Sequence, residues 1–286
     1  MRALVLSGGG SKGSYQVGAL KYILGELKVD YDILCGVSVG AINCAFLAMF
    51  KSGQEEKASE VLSERWLKLD TSKIYKRWHP FGRWHALWKQ SFYDSSPLRE
   101  LITSNLDIEI VKESNKKVCV GTVSVSSGKY KVFNQFSPHF IDAVIASASF
   151  PGMLTPVSFG GELWTDGGVK ELSPITTAIE AGADIIDVII TSPKNKVKKF
   201  LDKPTTVDIL KRIIDLSTDR IMTNDIEKVK MHNRLVKAGL SDKKFVQMNI
   251  LRPTYNLAED LLDFDPKKLK EMHERGYLDA VSNYNI

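Results

Sequence analysis

The chain is short of the residues that most often announce a site. Its three cysteines, Cys35, Cys44 and Cys119, form no CxxC pair and no Cys/His cluster with metal-ligand spacing. An odd count, with two members in one apolar run, argues against a disulfide framework and for reduced, buried thiols in a reducing compartment. An excess of charge of one sign is lacking as well. The 39 Lys and Arg against 34 Asp and Glu leave +5, which permits contact with an anionic surface but gives no argument for nucleic acid. None of the five histidines (His79, His85, His139, His232, His273) sits at an expected strand end beside a glycine turn, where a triad would need one. The apolar stretch in MRALVLSGGG is too short for a secretory signal. The uncharged run from Ile33 to Phe50 only reaches the lower edge of a membrane-spanning length, and it carries Gly36, Ser38, Gly40 and Asn43. These absences point to a cytoplasmic protein, at most peripheral at a membrane.

What is present is an alternation of short apolar runs and helical patterns. Strands are expected over 2–6, 33–35, 162–165, 187–191 and 245–251, with a hairpin over 118–125 and 129–134. Helical spacing covers 13–28, 41–51, 54–69, 140–149, 175–181 and 207–237, with a last helix from Pro266. Strands alternating with helices predict a three-layer α/β/α sandwich with a mostly parallel central sheet. The basic stretch KNKVKKFLDKP (194–204) is the most plausible seam, yet the late strand suggests a return to the same sheet. The expectation is one domain over 1–286, with the motifs in 1–192 and a helical extension with one strand over 205–286.

Three places could carry chemistry. In GVSVG (36–40), Gly36 and Gly40 would relieve clashes in a strand–turn–helix, lifting Ser38 above the sheet at a helix N-terminus. The alternative is a glycine-lined packing contact. Gly8, Gly10 and Gly13 satisfy GxGxxG between a strand and a helix, as a dinucleotide loop would. However, Asp30 and Asp32 precede the second strand instead of closing it, and no GK[ST] follows. The other use of such a loop is to aim successive N–H groups at one oxygen. Asp166, in TDGG, is either a turn residue or a carboxylate brought close to a neighbour by Gly167 and Gly168.

Together these stretches resemble the patatin-like phospholipase family. LSGGGSKG (6–13) is similar to its oxyanion loop, GVSVG to its nucleophile elbow and DGG (166–168) to its dyad aspartate. SASFPGMLTPV (147–157) is similar to the proline-containing segment before that aspartate, and the likeness runs over residues 1 to 192. Lys12 stands where the family usually has arginine, which keeps the charge but loses the planar fork. The resemblance implies hydrolysis of carboxyl esters of phospholipids or lysophospholipids. Ser38 would be the nucleophile and Asp166 the base; Gly8, Gly9 and Gly10 would hold the oxyanion, with Lys12, Gly13, Gly36, Gly40, Gly167 and Gly168 in support. It implies no metal and no cofactor. Transfer of the acyl group to another acceptor is the alternative chemistry, and dinucleotide binding the alternative class. A lipid or a phospholipid surface is the expected partner. KRWHPFGRWHALWK (76–89) offers Trp78, Phe81, Trp84 and Trp88 as membrane contacts, or else as a cover on the core.

Overall fold

The computed structural model describes residues 1–78, 88–194, 205–242 and 244–284. Alternate residues of the strands divide between two cores. In β1 (Arg2–Leu6), Leu4 and Leu6 enter one, while Ala3 and Val5 enter the other. A period of two on a strand that is buried on both faces requires a layer on each side.

One layer holds α1 (Gly13–Leu20), α2 (Val39–Leu47), α3 (Glu55–Leu67), α6 (Phe140–Ser147) and α9 (Pro266–Asn283). The other holds α7 (Ile175–Glu180) and α8 (Thr206–Lys237), with Ile175, Ala178, Met222, Ile226 and Val229 against the sheet. Between them lies a mixed, mostly parallel sheet. It runs β10 (Gln247–Leu251), β9 (Ile185–Ile189), β1, β2 (Ile33–Gly36), β5 (Lys117–Ser124), β8 (Glu162–Asp166) and β7 (Val157–Phe159). The pairs from β10 to β5 are parallel; β6 (Tyr130–Asn134), β8 and β7 are antiparallel.

The late strand does return to this sheet, pairing with β9 in register from Gln247↔Ile185 to Leu251↔Ile189. Several elements escaped the pattern reading. β3 (Lys76–Arg77), at the start of the aromatic stretch 76–89, pairs antiparallel with β4 (Tyr93–Asp94) just beyond it, where no strand was expected. α4 (Ser96–Asn105) and α5 (Ile108–Glu113) occupy a segment that gave no expectation. The helix expected over 13–28 loosens into a π-turn over Lys21–Glu26. The stretch 194–204 lies, but for Lys194, outside the described residues, as do Phe81, Trp84, His79 and His85. Among the described residues no helix is long and apolar enough to cross a membrane.

β1 and β2 are adjacent and parallel, with Leu6 opposite Gly36, so the loops that follow them leave the sheet side by side. In open α/β sheets the crevice beyond the carboxyl ends of the strands is where ligands bind.

Candidate active site

The chain must turn from β2 into α2 within two residues, and Ser38 absorbs the bend at φ 57° and ψ −130°. A non-glycine residue costs of order 1–3 kcal/mol there and persists only when its surroundings hold it. They do. The Ser38 N–H donates to Ser147 Oγ at 2.9 Å, and that hydroxyl donates to the Gly121 carbonyl at 2.6 Å. Behind the turn, α2 lies so close to β1 that a Cβ on Gly40 would collide with the Leu6 carbonyl. A Cβ on Gly36 would strike the Gly40 carbonyl. The pair therefore fixes where α2 starts, and Ser38 caps it at the end that favours negative charge.

The loop after β1 is pinned from several sides. The Gly8 carbonyl accepts from Thr191 Oγ1 at 2.8 Å, and its N–H donates to the Leu172 carbonyl at 3.0 Å. Gly10 takes φ 57°, and a Cβ there would collide with the Leu261 carbonyl, which accepts the Ser11 N–H at 2.8 Å. Because the peptide is planar and trans, the Gly9 N–H points away from Thr191. Neither the Gly9 nor the Gly10 N–H has a protein acceptor among the described residues. The Gly8 N–H, expected to join them, is already taken by Leu172. A buried chain steadies the loop from below: Trp66 Nε1 donates to Asn43, Asn43 to Gln16, and Gln16 to the Ser7 carbonyl. Gly13 closes against Val39 and Trp66, and Lys12 is buried with Nζ donating to Asn256 Oδ1 at 3.2 Å.

Asp166 ends β8 and is 1% exposed. Its N–H donates to the Ser149 carbonyl at 3.1 Å, which also accepts Thr165 Oγ1 at 2.7 Å. The proline-containing segment thus sets the height of the aspartate. Gly167 passes against the Gly121 carbonyl, and the Gly168 N–H donates to Asp166 Oδ1 at 2.7 Å. Burial pushes the Asp166 pKa up to about 7; the Gly168 N–H and the Ser38 side chain, which also reaches the carboxylate, pull the other way. A carboxyl group of this kind titrates near neutrality, as a general base requires.

Ser38, Asp166 and Gly8 to Gly10 share one cavity of about 1040 Å³. Its walls are mostly apolar, with Ile42, Phe46, Trp66, Leu98, Phe150 and Leu154 from the motif-bearing part. Ile213, Leu261, Leu262 and Phe264 come from the C-terminal extension. No histidine among the described residues lines it. His139 faces Asp142, His232 meets the Lys244 carbonyl, and His273 is buried on Ser63 with its pKa lowered to about 4 by burial. Trp88 is 89% exposed, whereas the Trp78 indole is half-buried and donates to the Ser91 carbonyl at 3.0 Å.

Ser147, Thr191, Leu172 and Leu261 position the site but were not singled out in the sequence. Ser147 lies in a stretch already matched to the family, so its spacing before the aspartate was the available signal. Leu172 and Leu261 act through backbone carbonyls, which side-chain chemistry cannot reveal.

A serine on a strained strand–helix turn, facing a buried carboxylate across an apolar crevice, defines a class of α/β site. The model of the patatin-like phospholipase family matches residues 4–179, and the chain belongs to that family. It is 29% identical over 185 residues to uncharacterized protein R571 of Acanthamoeba polyphaga mimivirus, covering 62% of this chain and 61% of that one. It is 27% identical over 206 residues to mouse calcium-independent phospholipase A2-gamma, covering 63% of this chain and 26% of that one. With the cGAMP-activated phospholipase of Pseudomonas aeruginosa it shares 25% over 186 residues, covering 60% and 53%. The chain thus spans from about a quarter to three fifths of the length of these relatives.

Proposed function

We propose that this protein hydrolyses acyl esters of phospholipids or lysophospholipids through a Ser38–Asp166 dyad. The observation that carries the reading is the pairing of a strained Ser38 with a buried Asp166 poised near neutral pH. Both face an apolar cavity wide enough for acyl chains. Asp166 takes the hydroxyl proton as Ser38 Oγ attacks the ester carbonyl. The Gly9 and Gly10 N–H groups hold the resulting oxyanion; one such donor is worth about 10²–10³ in rate. Collapse expels the alcohol, which takes the proton, and leaves an acyl-serine. Water, deprotonated by Asp166, then releases the fatty acid. The family's general activity supports the ester chemistry, and the names of two relatives support a phospholipid substrate. Mass spectrometry of products from mixed phospholipid vesicles tests it. Fatty acid and lysolipid should accumulate with the wild type and not with Ser38→Ala. Acyl groups found only on a second lipid would replace hydrolysis by transfer.

Since none of the described His139, His232 and His273 lines the cavity, and Asp166 is read as the base, replacing any of these three histidines by alanine is expected to leave the chemical step largely intact, and the dyad reading expects the same of His79 and His85. A loss of about a thousandfold in a folded variant would put the base on that histidine instead.

Trp88 is assigned to the membrane contact, because a fully exposed indole suits the headgroup boundary. Trp88→Ala is expected to weaken binding to anionic vesicles several-fold in a sedimentation assay, while hydrolysis of a soluble short-chain ester stays unchanged. Equal loss on both substrates would make Trp88 part of the fold instead.

A further inference from the structure

The family match ends at residue 179, yet a buried carboxylate from beyond it reaches the back of the site. Asp225, on α8, is 1% exposed, and its Oδ2 accepts the N–H groups of Leu172 at 3.0 Å and Ser173 at 3.1 Å. Those two residues follow the Asp166–Gly168 turn and lead into α7. The Leu172 carbonyl is the acceptor of the Gly8 N–H. The Leu172 side chain fills the space beside both glycine turns: its Cδ1 would lie 2.8 Å from a Cβ on Gly8 and 3.0 Å from one on Gly168. One residue therefore touches the oxyanion loop and the aspartate turn, and Asp225 holds the backbone of that residue.

We propose that Asp225 is a positioning residue that sets the oxyanion loop through Leu172. This rests on reading Gly9 and Gly10 as the oxyanion donors.

The environment of the carboxylate supports a role beyond packing. Burial, with the neighbouring Glu171 in support, pushes its pKa up to about 7 against the opposing pull of the Ser173 and Leu172 N–H groups and Lys228. Lys228 Nζ is 3.9 Å from Oδ1 and mostly exposed, so it compensates weakly. Glu171 is itself buried, with its pKa raised by burial, and accepts from Thr177 Oγ1 at 3.2 Å. Two acidic groups side by side in a dry place cost stability. The feature gained is one oxygen that accepts two adjacent N–H groups at a fixed height behind the site. Without it, both N–H groups would be left unpaired or would turn to other acceptors, carrying the Leu172 carbonyl and the Gly8 peptide with them.

An amide oxygen can accept the same two N–H groups, whereas a methyl cannot. Asp225→Asn and Asp225→Ala are therefore compared on phosphatidylcholine–phosphatidylglycerol vesicles, with turnover expressed per site titrated to completion by a fluorophosphonate. The Ala variant is expected to lose tenfold or more in kcat with KM within about twofold, because a displaced oxyanion donor acts in the transition state. The Asn variant should stay within about threefold of wild type. Normal kcat per titrated site in the Ala variant would overturn the proposal, since Asp225 would then only hold the fold. Equal losses in Ala and Asn would also overturn it, by making the charge and not the acceptor the cause. Should the Ala variant fail to fold, Asp225→Ser, which is too short to span both N–H groups, carries the same expectation. Ser38→Ala is run alongside. Turnover that survives there removes the nucleophile itself, a failure distinct from an unaffected Asp225→Ala.

Discussion

Ser38→Ala is expected to abolish labelling by a fluorophosphonate and to lower turnover by roughly 10⁴–10⁶, the loss seen when a serine nucleophile is removed from a working site. The size of the effect follows from the lack of a substitute. Among the described residues no other serine or threonine takes a positive φ, and Ser147 is committed to the Gly121 carbonyl. The fold should survive, because the Ser38 N–H donates to Ser147 from the backbone and alanine keeps that bond. Labelling at another residue, or turnover within tenfold of wild type, would remove Ser38 from the chemistry.

Asp166→Asn is expected to lower turnover by about 10²–10⁴, the usual reach of general-base catalysis. The amide can still accept from the Gly168 N–H but cannot take the Ser38 proton. The same substitution should stabilise the protein at alkaline pH. The folded-state pKa of Asp166, about 7, lies above the ordinary value of 3.8, so the folded chain keeps this proton after the unfolded chain has lost it. Stability from this group is therefore full below about pH 4 and falls as pH rises to about 7. At about 1.4 kcal/mol per unit, the buried charge costs a few kcal/mol above that window. Thermal melts at pH 8 should place Asp166→Asn above wild type, and melts near pH 4 should bring the two together. A variant that loses activity without gaining stability at pH 8 would mean the carboxylate is not held in a dry setting.

Much of this was legible in the chain because its signals are local. The short apolar run Arg2–Leu6, the glycines around Ser38 and the DGG turn each fix backbone geometry within a few residues. The sheet order β1, β2, β5, β8, parallel up to β5 and antiparallel from β5 to β8, then brings those turns together. What stayed hidden is non-local or carried by main chain. The helix over 108–113 is under two turns long, so periodicity says little about it, whereas Ser96–Asn105 does carry a legible helical pattern in Leu98, Leu101 and Ile102, with Pro97 in its first turn. The assignment of the Gly8 N–H failed because its acceptor, the Leu172 carbonyl, comes from a loop 164 residues away. Leu261 and Asp225 contribute from a C-terminal extension in which no motif was visible. Their roles depend on how α8 and the segment before α9 return to the sheet.

The most direct test of the dyad is the rate of fluorophosphonate labelling of Ser38 against pH, in wild type and in Asp166→Asn. The wild-type rate should rise tenfold per pH unit and level off near pH 7, where Asp166 ionises. In Asp166→Asn that limb should vanish, leaving a slow rate without a break near neutrality. A limb of the same height and midpoint in Asp166→Asn would show that another group takes the proton, and the account would fail at its centre.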